Sequence, residues 1–397
     1  MAGTGTPAVK SGSVERLEQA RAAMRSEGLK ALVCRLPENI VMLSGYWPVI
    51  GRSAVILPDD GEPVLLAPDM ERQALERAFV KDIRTFRVWK LQDPAPEASL
   101  ARLIADFAAS HGLAGKRVGS EMAFEDIAPT QKVLEPWGVA APAHRMLQDA
   151  GLQVVDATEL LMRLRARKTA DELERIRVAN EIAQFGVGAF VREARPGIAE
   201  HELAAAVEHA VMLHGTGYRG AIHARAQALI FSGTARLHEV GWGYAPNTTR
   251  RIQPGELVML ELCVVADGYY CDITRMAVAG QPSARQQELL SVVREAQKAA
   301  LSAIRPGATG DQVDRAARDA LKRHGLEDAF VHITGHGLGL RYHERYPQLC
   351  PGSNDVLEPG MVTSVEPGIY APDFGGIRLE DNVVVTQQGC QVLSGTN

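Results

Sequence analysis

The residues LVMLELCVVADGYYCD (257–272) begin with nine positions that are apolar except for Glu261, and they end on a second acid, Asp272. A run that is apolar on both faces of an extended chain predicts a strand buried on both sides. A carboxylate inside such a strand carries a large desolvation cost unless a cation or hydrogen bonds compensate for the lost water. This stretch therefore predicts a buried acidic site, and a metal centre is the simplest candidate.

Two later segments supply further candidate ligands. They are GHGLGLRYHE (335–344), with His336 and His343, and VEPGIYAPDFGGIRLED (365–381), with Glu366 and Glu380. Carboxylate oxygens combined with imidazole suit Mn, Fe, Co or Zn, and bridging carboxylates can hold two ions about 3.5–4 Å apart. Taken alone, Asp272 or Glu380 could equally form a salt bridge with a nearby arginine. The glycines around His336 predict a tight turn that folds around a ligand.

An internal duplication connects these segments. ARPGIAEHELAAAVEHAVMLHG (194–215) matches IRPGATGDQVDRAARDALKRHG (304–325), and QPGELVMLE (253–261) matches EPGMVTSVE (358–366). Each copy of the second pair places a glutamate seven residues after its proline, so Glu261 and Glu366 are equivalent positions. Two copies related by an approximate twofold axis would point both glutamates, and the acids that follow them, into one cleft.

The composition excludes several classes of protein. The chain has 397 residues, of which 46% are hydrophobic and 23% charged, as is typical of a soluble globular protein with two domains. A net charge of −5 gives no reason to expect a nucleic acid or a membrane as a partner. The N-terminus lacks the apolar core of a signal peptide. Five scattered cysteines without a CxxC pair favour a reduced, cytoplasmic protein.

Alternating helical and strand-like patterns in the first half predict an α/β domain of residues 1–160, followed by a second domain of residues 161–397. One long charged helix is predicted from about residue 157 to residue 192, and charged helices of this kind commonly bridge domains. A capping signature begins within it at Thr169, where Glu172 follows three residues later.

Four motifs of the second half carry a family resemblance: GYYCDITR (268–275), GHGLGLRYHE (335–344), EPGMVTSVEPGIY (358–370) and GGIRLED (375–381). Through them the chain resembles the pita-bread hydrolases, which include prolidase, aminopeptidase P, methionine aminopeptidase and creatinase. The segment PENIVMLSGY (37–46) is similar to the smaller domain that precedes the catalytic domain in several of them. The resemblance implies an α/β N-terminal domain, an α+β pita-bread C-terminal domain with an internal pseudo-twofold duplication, and a homodimer.

The resemblance assigns five metal ligands, which in this chain are Glu261, Asp272, His336, Glu366 and Glu380. The family's metallopeptidases have aspartate at the first position, whereas this chain has glutamate. The extra methylene moves the carboxylate by roughly one bond length, enough to weaken, reposition or abolish one metal site. Creatinase also has glutamate there and works without metal. Because the other four ligands match, we expect two divalent ions of Mn, Co, Fe or Zn, with a metal-free site as the alternative.

The resemblance also implies residues that handle the substrate. The peptidases carry a histidine before the first ligand, and an ungapped comparison places Tyr244 there, with His238 six residues earlier, so either residue could take the role. His343 matches the family's second histidine, which contacts the substrate and the transition state. His332 and Arg378 are further candidates for substrate binding.

The loop LSGYWPVIGR (43–52) presents two aromatic residues, Tyr46 and Trp47. Packing beneath the loop and contact with substrate are equally good interpretations of them. Relatives place the N-terminal domain near a neighbouring active site, so in a homodimer these side chains would reach the pocket of the other subunit.

We therefore expect metal-assisted hydrolysis of an amide or peptide C–N bond, with an Xaa-Pro peptide as the substrate that the resemblance implies. Glu366 would act as the base on the attacking water, and His343 would stabilise the oxyanion. One alternative is a metal-free, creatinase-like hydrolase of a non-peptide substrate that uses Glu261, His238 and Glu366 as acid–base groups. A second alternative is an inactive binding protein that keeps the fold, which the four matching ligands disfavour.

Overall fold

The structure is a computed structural model that describes residues 11–48, 52–88, 96–122, 141–242 and 245–395. The chain forms two compact units. The first comprises residues 1–165 and 169–172, and the second comprises residues 166–168 and 173–397. The observed boundary therefore lies a few residues after the predicted boundary at residue 160. No helix of the described segments is both long and apolar enough to cross a membrane.

The first unit is the expected α/β domain, built on a six-stranded sheet in the order β4-β3-β2-β1-β5-β6. Its strands are β1 (Ala31–Cys34), β2 (Ala54–Pro58), β3 (Val64–Pro68), β4 (Asp82–Phe86), β5 (Arg117–Ser120) and β6 (Gln153–Asp156). Its helices are α1 (Ser11–Ser26), α2 (Pro37–Ser44), α3 (Arg72–Leu75), α4 (Pro96–Ser110), α5 (Ala141–Asp149) and α6 (Thr158–Ala166). β1 pairs antiparallel with β2 and parallel with β5. The first three strands are buried along their whole length, as their continuous apolar sequences predict.

The side chain of Tyr46 is fully buried inside this unit. Its hydroxyl donates to Oε2 of Glu71 at 2.7 Å and lies 3.1 Å from Oγ of Ser53. A core tyrosine whose hydroxyl is satisfied in this way packs beneath its loop, so the predicted contact of Tyr46 with substrate is corrected. Trp47 is half-buried, and its contact with substrate stays a prediction.

The single long helix predicted from residue 157 to residue 192 is wrong, because the chain forms two helices there. α6 ends at Ala166, and α7 (Ala170–Glu193) begins after a break. The predicted capping signature explains the new start: Thr169 N–H donates to Oε2 of Glu172 at 2.7 Å, and Glu172 N–H donates to Oγ1 of Thr169 at 3.4 Å. These side chains satisfy main-chain groups that a continuous helix would pair internally.

The second unit combines helices with three antiparallel sheets, ordered β7-β8-β9, β11-β10-β12-β15-β16 and β13-β14. The further helices are α8 (Glu200–Gly215), α9 (Thr234–Glu239), α10 (Ala284–Ala303) and α11 (Gly310–Lys322). The strands are β7 (Ala224–Ser232), β8 (Leu257–Ala266), β9 (Tyr269–Val278), β10 (Gly335–Gly337), β11 (Glu344–Leu349), β12 (Val362–Val365), β13 (Gly368–Ala371), β14 (Gly375–Arg378), β15 (Asp381–Val385) and β16 (Cys390–Val392). Every residue of β8 is buried, as predicted.

The internal duplication is visible in the hydrogen bonds at the start of α8 and α11. Gly197 N–H donates to the carbonyl of Ile252 at 2.8 Å, and Gly307 N–H donates to the carbonyl of Leu357 at 2.9 Å. The paired residues are offset by 110 and 105 positions, which are the offsets between the repeated sequences. Equivalent sequences thus form equivalent contacts, and the two related glutamates occupy related places, with Glu261 on β8 and Glu366 directly after β12.

Candidate metal centre

The first two acids lie on one hairpin. In the antiparallel register of β8 and β9, Glu261 faces Thr274, and Cys263 faces Asp272. Thr274 and Asp272 are two residues apart, so they share a face of the sheet with Glu261. The spacing of eleven residues between the acids therefore places both carboxylates on one surface.

The second half of the unit brings Glu380 against this hairpin. The N–H of Glu380 donates to the carbonyl of Thr274 at 3.3 Å. Asn382 then binds the main chain of Asp272 twice, accepting from its N–H at 3.0 Å and donating to its carbonyl at 2.5 Å. These bonds fix Glu380 and Asp272 relative to each other. Asn382 is not predictable from the sequence, because a single amide after the Glu-Asp pair is too weak a signal.

His336 lies on the short strand β10, and the predicted turn is wrong at this position. A Cβ atom at Gly335 would overlap the carbonyl oxygen of Ser364, and one at Gly337 would overlap the carbonyl oxygen of Tyr346. The two glycines therefore allow neighbouring strands to approach closely. Nδ1 of His336 lies 2.9 Å from the carbonyl oxygen of Gly337, which orients the ring with Nε2 toward the acids.

The donor set fits a divalent metal. Nε2 of His336 lies 3.4 Å from Oδ2 of Asp272 and 3.4 Å from Oε1 of Glu366. Three overlapping groups have ligand atoms within 4.8 Å of one another: Asp272 with His336 and His343, His336 with Glu366 and Glu380, and Glu261 with Asp272 and Glu380. Oδ1 of Asp272 and Oε1 of Glu380 are buried and have no hydrogen-bond partner within the described parts of the chain. Buried carboxylate oxygens of this kind are natural ligands for a hard or borderline cation.

The electrostatics of the acids also call for a cation. Burial, followed by the negative charges of Glu261 and Glu366, raises the pKa of Asp272 well above its usual value. Burial, followed by the charge of Asp272, raises the pKa of Glu380 in the same way. Burial raises the pKa of Glu366 too, against the lowering effect of the neighbouring His336. Like charges in a desolvated site repel one another until a proton or a cation neutralises them.

Glu261 differs from the other acids because the protein itself surrounds its carboxylate with donors. Oε1 accepts from the hydroxyl of Tyr342 at 2.7 Å. Oε2 accepts from the hydroxyl of Thr274 at 2.7 Å and pairs with the guanidinium of Arg378. Burial acts to raise the pKa of Glu261, but Arg378 and the two hydroxyls outweigh it and lower that pKa. No sequence motif singles out Thr274 or Tyr342, and only the hairpin register could have indicated Thr274.

Comparisons with known proteins agree with this geometry. The family described as Metallopeptidase family M24 matches residues 174–387. This chain belongs to metallopeptidase family M24. The Creatinase/Prolidase N-terminal domain matches residues 16–167, so the predicted family and the predicted pair of domain types are confirmed.

Several relatives of this M24 metallopeptidase resemble it along nearly its whole length. An Xaa-Pro dipeptidase of Pyrococcus furiosus is 30% identical over 388 residues, which cover 96% of this chain and 98% of the relative. Among solved structures, the prolidase from Pyrococcus furiosus matches with a TM-score of 0.74 at 28% identity, covering 95% of this chain and 99% of the other. The Xaa-Pro dipeptidase from Bacillus anthracis matches with a TM-score of 0.78 at 25% identity, covering 97% and 98%. The enzyme is thus a hydrolase of a family that uses divalent metal ions.

His343 lies beside the predicted metal ligands. Its ring centroid is 4.3 Å from that of His336, and its Nδ1 is buried with no hydrogen-bond partner among the residues that the structure describes. Burial, followed by the positive charges of His336 and Arg341, lowers the pKa of His343 well below its usual value. The imidazole is therefore neutral near pH 7, with one nitrogen able to donate a hydrogen bond.

His332 and Arg378 are joined through Tyr370, a residue that the sequence analysis did not identify. Nε2 of His332 lies 3.0 Å from the Tyr370 hydroxyl, to which Arg378 donates at 3.3 Å. Burial, followed by the charge of Arg378, lowers the pKa of His332 to about 3. His238 lies half-buried on α9, whereas Tyr244 falls outside the described residues, so both alternatives for the first histidine stay predictions.

Proposed function

We propose that this metallopeptidase is an Xaa-Pro dipeptidase, which cleaves the peptide bond before the proline of a dipeptide. The proposal depends on the buried donor set of Asp272, His336, Glu366 and Glu380, in which one oxygen of Asp272 and one of Glu380 accept no hydrogen bond from any residue that the structure describes. The Xaa-Pro dipeptidase of Pyrococcus furiosus aligns with 96% of the chain, and so with both of its units. Mn, Fe, Co and Zn are the proposed ions, because all accept mixed carboxylate and imidazole ligands.

A bound divalent ion polarises a carbonyl group and lowers the pKa of a coordinated water. The protein's own contribution begins with Glu366, which lies 3.4 Å from His336 and accepts a hydrogen bond from Ser364 at 3.2 Å. Its buried carboxylate is therefore the group proposed to accept a proton from the attacking water.

His343 is proposed to stabilise the developing oxyanion by donating a hydrogen bond. A neutral imidazole can donate through one nitrogen without adding a positive charge beside the ligands. Arg378 and His332, with Tyr370 between them, form a polar group next to the acids and are proposed to bind the substrate's terminal carboxylate.

A substrate panel tests the proposal. Xaa-Pro dipeptides, matched Xaa-Ala dipeptides, longer peptides and creatine should be assayed with metal-free protein before and after addition of Mn²⁺. We expect hydrolysis of Xaa-Pro dipeptides only with metal, and Glu366→Ala should abolish it. Turnover of creatine without metal would instead support the creatinase-like alternative, and tight binding without turnover of any compound would support the inactive binding protein.

We also propose a homodimer in the cytoplasm. The cysteines of the described segments form no disulfide with one another, which suits a reducing compartment; they are Cys34, Cys263, Cys271, Cys350 and Cys390. Light scattering across a dilution series tests the dimer, and a dilution-dependent loss of specific activity would support a contribution of one subunit to the other's site. A monomer with full activity would contradict it.

A further inference from the structure

The five predicted ligands divide into two groups by what their oxygens contact. Both oxygens of Glu261 accept hydrogen bonds from the protein: Oε1 from Tyr342, and Oε2 from Thr274 and from Arg378. By contrast, Asp272 and Glu380 each keep one buried oxygen that has no hydrogen-bond partner among the described residues. These two acids therefore retain an unoccupied ligand atom, whereas both oxygens of Glu261 are already engaged by protein donors.

The donors around Glu261 hold one another in place. Nε of Arg378 donates to Oγ1 of Thr274 at 2.8 Å, and the same hydroxyl lies 2.8 Å from Oε2 of Glu380. Arg378 is thereby oriented by Thr274 and Tyr370 while it pairs with Glu261. A guanidinium stays charged at any accessible pH, so it supplies a permanent cation at this position.

We propose that the enzyme binds one divalent ion, held by Asp272, His336, Glu366 and Glu380, and that the guanidinium of Arg378 takes the place of a second ion beside Glu261. A second ion at Glu261 would have to lie beside the guanidinium of Arg378, which already neutralises this buried carboxylate, and it would compete with the hydrogen bonds of Tyr342 and Thr274. The pair of ions that the resemblance implied is thus replaced by one ion and one guanidinium. The glutamate at position 261 becomes a partner of Arg378 and is no longer a metal ligand.

The inference rests on the metal-dependent function proposed above, and counting ions tests it without substrate. Metal-free protein would be dialysed against increasing Mn²⁺, and bound manganese would be measured per chain, with electron paramagnetic resonance used to detect a spin-coupled pair. We expect about one ion per chain, with any second ion bound at least about 100-fold more weakly and no coupled signal. Two ions of similar affinity would overturn the inference while leaving the proposed function intact, whereas no bound metal would overturn the function itself.

Variants of the Glu261 environment test the role of Arg378. Arg378→Met removes the cation beside Glu261 and should allow a second Mn²⁺ to bind. Tyr342→Phe removes one hydrogen-bond donor without changing any charge, and it should raise the affinity for a second Mn²⁺. Arg345→Met, which removes a partly exposed arginine paired with Asp355 at 3.3 Å, is the matched control and should leave one ion per chain. Folding of each variant is checked by circular dichroism. If folded Arg378→Met and Tyr342→Phe both still bind a single ion as wild type does, Arg378 does not exclude the second ion and the inference is wrong.

Discussion

Replacing Lys168 with methionine should strongly destabilise the second unit, because it leaves Glu344 as an unpaired buried carboxylate. Nζ of Lys168 lies 2.5 Å from Oε2 of Glu344, and the two side chains are 0% and 3% exposed. Removing one partner of such a pair costs about 3–5 kcal/mol. The remaining bond to Glu344, from Leu340 N–H to Oε1 at 2.8 Å, compensates only part of the charge. We therefore expect a loss of about 3–5 kcal/mol in the free energy of unfolding.

Urea unfolding followed by circular dichroism measures this loss, with the transitions of the two units fitted separately. The double variant Lys168→Met/Glu344→Gln removes both charges and keeps an oxygen for Leu340 N–H, so it should recover at least half of the lost stability. Lys322→Met is the control, because its pair with Glu327 spans 3.8 Å with side chains that are 69% and 37% exposed, and exposed pairs contribute about 0–1 kcal/mol. A loss below about 1 kcal/mol for Lys168→Met, or a double variant no more stable than the single one, would refute the reasoning.

Three further outcomes are expected. Glu366→Gln should lower kcat at least about 10²-fold with the fold intact, since the amide cannot act as the base, and an unchanged kcat would contradict that role. Because the pKa of His332 is lowered from 6.5 to about 3, the unfolded chain binds a proton there that the folded chain does not, so stability falls as the pH drops below 6.5. His332→Gln should reduce this slope by up to about 1.4 kcal/mol per pH unit in urea melts, and equal slopes would exclude the effect. Gly337→Ala should lower the melting temperature and the Mn²⁺ affinity, because its methyl group would overlap the carbonyl of Tyr346. Gly188→Ala, where the methyl group meets only the flexible end of Arg192, should do neither.

Much of the site was predictable because it follows from local patterns. An apolar run with one acid predicts the buried strand β8, and the strand is buried at every residue. The repeated Pro-Gly and glutamate spacing predicts that Glu261 and Glu366 are equivalent, and the matched bonds of Gly197 and Gly307 confirm the duplication. These patterns can be recognised in a sequence because buried positions recur with the period of a strand, and duplicated segments recur at a fixed offset along the chain.

Other features depended on details that local patterns do not contain. From the sequence, Tyr46 could equally have packed beneath its loop or contacted the substrate. Its buried hydrogen bond to Glu71 shows that it packs beneath the loop. The long charged helix was predicted as continuous because its charge pattern does not change at the break. The capping signature of Thr169 and Glu172 was present in the sequence, and the reciprocal bonds of the two residues show that it starts a second helix.

By itself, the sequence determined the fold class, the duplication and the identity of the acids and histidine that meet in the second unit. Only the tertiary structure decided what each acid contacts there. Tyr342 and Arg378 lie 81 and 117 residues from Glu261 along the chain, yet both bind its carboxylate. A hydrogen bond requires donor and acceptor within about 3 Å and correctly aligned, and that geometry exists only after the strands have packed. Whether an acid binds a metal or an arginine is therefore a property of the folded site.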